Sequence, residues 1–215
     1  MKERTNQHIE KFFQWHEDLI PLKEDILLTA EQIIMSYRQG GKVLTCGNGG
    51  SSADCDHIIG ELLKGFLLKR PMREELAQTL EQTYGEEGKD LAQKLQQGLP
   101  AISLTSQASI ISAFANDVDP ELIYAQQVLG YGKPGDILIG ISTSGNAKNV
   151  AAAVRMANVL GMHTIGLTGE TGGLLGKLAK HTIFIPKKET YRVQEDHLAI
   201  YHLLCIVVES ELFDC

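Results

Sequence analysis

Two short apolar runs end in loops of glycine and serine, and each loop opens into a helical pattern. Lys42-Val43-Leu44-Thr45-Cys46 leads into Gly47-Asn48-Gly49-Gly50-Ser51-Ser52, followed by a helical stretch to about Leu68. Ile137-Leu138-Ile139-Gly140-Ile141 leads into Ser142-Thr143-Ser144-Gly145-Asn146, followed by a helix over Asn149–Leu160 with Val150, Val154, Ala157 and Val159 recurring. Further runs stand at 101–104, 164–167 and 182–185. Runs this short and this uniformly apolar, alternating with helical stripes, predict an α/β fold. A parallel sheet is sandwiched between two layers of helices.

In such a sheet ligands bind beyond the carboxyl ends of the strands. A helix that starts there offers free N–H groups and a partial positive charge. Glycine lets the backbone approach an anion, and serine or threonine hydroxyls add donors, so the two loops describe a phosphate cradle built without a lysine. The alternative is that they are only tight turns and helix caps. The G-x-x-x-x-G-K-[ST] loop of nucleotidases is absent, and Ser52 stands where a dinucleotide fingerprint needs its third glycine.

Composition narrows the partners. With 20 Lys and Arg against 27 Asp and Glu, the formal charge is −7. This disfavours nucleic acid, whose backbone affinity comes from Lys and Arg. No apolar run approaches the ~20 residues of a membrane helix, and the polar opening Met1–Asn6 does not read as a signal peptide. The four cysteines, Cys46, Cys55, Cys205 and Cys215, form no C-x-x-C pair, which points to a reducing cytoplasm.

Around this frame lie three helical segments. Residues 1–40 read as a helical hairpin, with stripes at Ile9, Phe12, Phe13, Leu19, Ile20 and, after Pro21, at Ile26, Leu27, Ala30, Ile33, Ile34, Tyr37. These stripes serve either the core or a partner subunit. Residues 72–97 have few apolar anchors on a polar background and a break at Tyr84–Gly88, so they form a helical excursion that either covers the site or decorates the surface. A last helix runs from about Val193 to Phe213.

His57 and Glu61 lie i, i+4 on the helix after the first loop, hence on one face. The pair is either a surface hydrogen bond or part of a site. The last helix carries Gln194, His197 and His202 among Leu198, Ile200, Leu203, Leu204, Ile206 and Val207. A histidine in such a run is a satisfied core residue or a functional one.

Taken together, Gly47–Ser51 with His57 and Glu61, Ile141–Asn146, Leu167-Thr168-Gly169, and Arg192-Val193-Gln194-Glu195 followed by His202 resemble the sugar isomerase (SIS) domain family. The likeness covers nearly the whole chain outside about 69–98. It is strongest to the branch that interconverts sedoheptulose 7-phosphate and D-glycero-D-manno-heptose 7-phosphate. The resemblance implies one SIS domain over 1–215 with a five-stranded parallel sheet, a helical N-terminal arm, a homotetramer and aldose–ketose isomerisation of a phosphorylated sugar. It assigns catalysis to Glu61 and His202. Phosphate and substrate contacts fall to Asn48, Gly49, Gly50, Ser51, Asp117, Ser142, Thr143, Ser144 and Gln194. A zinc site falls to His57, Glu61, Gln194 and His202. Gln194 and His202 are eight residues apart, about 12 Å along a helix, so either the side chains lean together or one comes from another subunit. The chain departs from the family pattern at Gly65, preceded by Lys64, where an arginine is usual. It departs again at Tyr191, where an acid is usual, and at Ala147, where a serine is usual. The family also holds non-catalytic modules that bind a sugar phosphate or a replication-initiator protein, and enzymes of other phosphosugars. Retention of Glu61 and His202 favours the isomerase.

Overall fold

In the computed structural model, which describes residues 1–214, β1 (Val43–Gly47), β2 (Ala101–Ser103), β3 (Ile137–Ser142), β4 (His163–Gly169) and β5 (His181–Ile185) form one sheet. Every pairing is parallel and the five strands lie in the order β2-β1-β3-β4-β5. The helices are α1 (Glu3–Trp15), α2 (Lys23–Arg38), α3 (Gly50–Leu63), α4 (Glu74–Lys94), α5 (Ala108–Asp117), α6 (Ile123–Tyr131), α7 (Lys148–Val159), α8 (Leu175–Leu178) and α9 (Thr190–Leu212).

Strand pleating divides the apolar runs between two cores. Val43, Ile137, Ile139, Ile141, Ile165 and Leu167 face α1, α2, α3 and α9. Leu44, Cys46 and Leu138 face α6, α7 and α8. Glycine lets the second layer come close: a Cβ at Gly140 would stand 3.0 Å from the Val150 side chain. Strands buried on both faces must be apolar along their length, which is why the runs were continuous rather than alternating.

The N-terminal stripes serve the protomer's own core, since Ile9, Phe12, Phe13, Ile26, Ala30, Ile33 and Ile34 are all buried there. The first helix ends at Trp15, and a 3-10 turn at Glu17–Leu22 holding Pro21 leads into α2. Both α1 and α2 pack on α9.

α3 ends earlier than the stripe suggested, at Leu63 instead of about Leu68. Lys64 is extended, and Gly65 lies so close to the Leu68 carbonyl that a Cβ would be 2.2 Å from it. The buried Arg70 supplies the reason, because its guanidinium donates to the carbonyls of Leu62 and Glu61 at 2.7 and 3.2 Å and closes the helix. The 72–97 excursion is a helical hairpin that turns at Gly85, φ +60°. Its arms meet where Gly88 passes the Leu80 carbonyl. Gly88 alone among the α4 residues is buried, and an isolated bridge between Pro71 and Gln96 closes the hairpin's base. Among the described residues no helix is long and apolar enough to cross a membrane. Cys46, Cys55 and Cys205 are free and buried, and Cys215 lies outside the described residues.

Candidate active site

The strand order reverses direction between β1 and β3, and this switch point is where a doubly wound sheet opens a crevice. Register brings the loops level, with Gly47 opposite Ile141 and Ser142 opposite Thr168. The first loop turns at Gly49, φ +58°, and enters α3 directly at Gly50. The second turns at Gly145, φ +69°, packed so tightly that a Cβ would stand 2.0 Å from the Gly172 carbonyl. Reciprocal amide hydrogen bonds of 2.8 and 3.0 Å join Asn48 to Asn149 on α7 and tie the two loops together. Tyr124 of α6 donates its hydroxyl to the Gly47 carbonyl at 2.7 Å and also lies 3.2 Å from the Asn48 side-chain oxygen.

Ser51 and Ser142 are buried at the strand ends, whereas Thr143 is half-buried and Ser144 exposed. Thr143 and Ser144 line an open pocket of about 320 Å³ together with Asn146, Gly169, Lys187 and Lys188. Lys187 is held between Asp196 at 2.8 Å and Asp18 at 3.1 Å, so its charge is already balanced.

The chemistry-bearing side chains gather on the faces of α3 and α9 that adjoin each other. His57 Nε2 is 3.4 Å from Glu61 Oε1 and 3.5 Å from His202 Nε2. The other Glu61 oxygen takes the ammonium of Lys64 at 3.3 Å. Glu61 is almost buried, while His57 is the most open of the three. Burial lowers the pKa of His202, and the neighbouring His57 lowers it further, against a smaller opposing pull from Glu61. His202 therefore stays a neutral imidazole at neutral pH. Phe66 and Tyr201 stack around the two histidines with ring centroids 5.0 to 5.6 Å away.

Of the residues expected at a site, His57, Glu61 and His202 come together. Gln194 sits elsewhere, over the start of α3, where a Cβ on Gly50 would be 2.3 Å from its Nε2. Gly50 precedes His57 by seven residues, about 10 Å of helix, so Gln194 belongs geometrically with the first loop. Among the described residues no group of three or more His, Cys, Asp or Glu side chains is arranged to hold a metal ion. Asp117 ends α5 exposed, its carboxylate accepting from Asn116 at 2.8 Å, with no hydrogen bond to either loop among the described residues.

Several residues that shape this region do not stand out as functional in the sequence. Asn149 and Tyr124 fix the first loop from other elements. Asp54 lies one turn before His57 on α3, and an i, i+3 acid beside a candidate histidine was the available signal. Tyr201 was hidden by its place in an apolar run.

The SIS domain family model matches residues 14–95 and 80–169 of this chain. The chain is 36% identical over 217 residues to the phosphoheptose isomerase of Aneurinibacillus thermoaerophilus, covering 99% of this chain and 96% of that protein. Two solved phosphoheptose isomerases are similar in structure. The one from Francisella tularensis gives a TM-score of 0.75 at 30% identity, over 98% of this chain and 100% of the other. The one from Neisseria gonorrhoeae gives 0.73 at 31% identity, over 97% and 98%.

Proposed function

The chain belongs to the SIS domain family, and we propose that it is an aldose–ketose isomerase that converts sedoheptulose 7-phosphate to D-glycero-D-manno-heptose 7-phosphate. The observation that carries this reading is the meeting of Glu61 and His202 at His57, on helices that frame the two Gly/Ser loops. Its relatives over nearly the full chain length are named for the same reaction.

The reaction moves a proton between adjacent carbons through an enediol, and so needs a base at carbon and a proton donor at oxygen. Glu61 is the base. His202, a neutral imidazole, donates its ring N–H to the carbonyl oxygen and recovers a proton as the double bond shifts, as neutral histidines can in such reactions. Hydroxyls of Ser51, Ser142, Thr143 and Ser144, with the loop N–H groups, hold the phosphate. Asn48, Gln194 and Asp117 contact the sugar. Anchoring the far end of the substrate spends binding energy on placing the reacting carbons.

The donor set His57, Glu61 and His202 has the nitrogen and carboxylate chemistry that zinc takes; the three stand beside one another without being arranged around an ion, so a bound cation would draw them together. We assign the cation to these three, with Gln194 as the distant fourth candidate. Zinc there would polarise the substrate's oxygens.

A homotetramer with the site near subunit interfaces completes the proposal. It is supported by α5, whose apolar Ile110, Ile111 and Phe114 are only half-buried in the protomer, Ile111 and Phe114 against its second core. The protein belongs in the cytoplasm, where the buried free thiols of Cys46, Cys55 and Cys205 remain reduced.

Incubating the protein with sedoheptulose 7-phosphate and following the aldose by NMR tests the reading. The wild type is expected to form the aldose, and Glu61→Gln and His202→Asn to lose about 100-fold or more in turnover. Near wild-type turnover in either variant would refute the assigned roles.

A further inference from the structure

We propose that Tyr201 and Asp54 form a hydrogen-bond relay that fixes the tautomer of His57 and presents its unprotonated Nε2 to Glu61 and His202. The catalytic consequence rests on the isomerase reading; the relay itself rests on geometry. Asp54 and His57 lie i, i+3 on α3, so both face the same way. Tyr201 of α9 is buried between them. Its hydroxyl donates to Asp54 Oδ1 at 3.3 Å and lies 2.9 Å from His57 Nδ1.

A phenol has one proton to give, and an ionised carboxylate can only accept. With that proton directed to Asp54, the phenol oxygen can take part in the second bond only as acceptor. His57 Nδ1 must then carry the hydrogen. In the neutral ring Nε2 is left with a lone pair, 3.4 Å from Glu61 Oε1 and 3.5 Å from His202 Nε2. A lone pair facing a carboxylate oxygen is unfavourable until a proton donor or a cation enters between them. The relay thus makes this point an acceptor site for a substrate hydroxyl or a divalent ion. An orienting bond to the second ring nitrogen is how a histidine's working nitrogen is usually set.

Tyr201 also packs edge-on against His57 and His202, with centroids 5.4 and 5.0 Å away. A purely packing role would survive loss of the hydroxyl, so Tyr201→Phe separates the two. Wild type, Tyr201→Phe and His57→Gln would be labelled with ¹⁵N-histidine, stripped of metal by a chelator and recorded by long-range ¹H–¹⁵N NMR at pH 8. The His57→Gln spectrum identifies the His57 signals.

The wild type is expected to hold His57 as the Nδ1–H tautomer. Tyr201→Phe is expected to move the ring toward the Nε2–H form that free imidazoles favour. Turnover should fall about tenfold, the lower end for an orienting partner of a working histidine, with KM within twofold. An Nε2–H ring in the wild type, or no change in Tyr201→Phe, overturns the relay. A shifted tautomer with unchanged turnover overturns its role in the reaction. If the wild type isomerises no sedoheptulose 7-phosphate, the functional reading fails while the ring assignment still decides the relay.

Discussion

Removing the charge of Arg70 should cost more stability than any change to an exposed residue. Arg70 and Glu209 are paired at 2.8 Å with side chains 0% and 1% exposed. The Glu209 carboxylate also receives the backbone N–H groups of Phe66, Leu67 and Leu68 at 2.7, 2.7 and 3.1 Å. Arg70→Met keeps much of the volume but leaves a buried carboxylate without its counter-ion, which typically costs about 3–5 kcal/mol. It also strips a donor from the Glu61 carbonyl. Arg70→Lys keeps the charge and loses the fork that reaches both carbonyls, so a cost of about 1–2 kcal/mol is expected. In urea titrations at fixed protomer concentration, with a slope of about 2.5 kcal/mol/M, the methionine variant should unfold about 1.5 M earlier. A methionine variant within about 1 kcal/mol of wild type would refute the argument. So would a lysine variant as damaged as the methionine one.

Three further outcomes follow from the same geometry. Ser144→Ala should raise KM about tenfold, the scale of one hydrogen bond to a charged group, with kcat within twofold; steady-state kinetics showing a kcat loss at constant KM would contradict the phosphate role. Gly145→Ala should lower thermal stability more than Gly49→Ala. Both have positive φ, but a Cβ meets the Gly172 carbonyl at 2.0 Å at Gly145 and nothing within 4 Å at Gly49; equal melting shifts would contradict this. Burial depresses the His197 pKa from 6.5 to about 4. The unfolded chain then binds the extra proton between those values. Stability from the neutral ring is complete above about pH 6.5 and lost as pH falls toward 4, by about 3 kcal/mol. His197→Leu should flatten that part of the stability–pH curve, and an unchanged slope would exclude His197 as its source.

The sheet was legible because its central strands are apolar on both faces and β1, β3 and β4 run into loops that hold glycine. The two loops were legible because glycine beside serine recurs at two strand ends, each directly ahead of a helix, a repetition that tight turns alone do not require. His57 and Glu61 could be paired by helical spacing alone. By periodicity alone His202 could not be told from a core histidine, because its neighbours are apolar; the family resemblance picked it out, and the meeting of α3 with α9 sets its ring beside His57. The early end of α3 was not readable, since the cap comes from the tertiary placement of Arg70. Its partner Glu209 lies 139 residues away, a distance over which local pattern carries no information. Tyr201 lies in the core of the structure, yet its hydroxyl reaches His57. Burial by itself did not separate packing from function.

Running the isomerisation of sedoheptulose 7-phosphate in D₂O tests the central claim most directly. If Glu61 moves the proton through an enediol, the base exchanges with solvent, and the aldose formed by the wild type should carry deuterium at C2. Glu61→Gln should form almost none of this product. An aldose with only protium at C2, or full turnover in Glu61→Gln, would contradict the account.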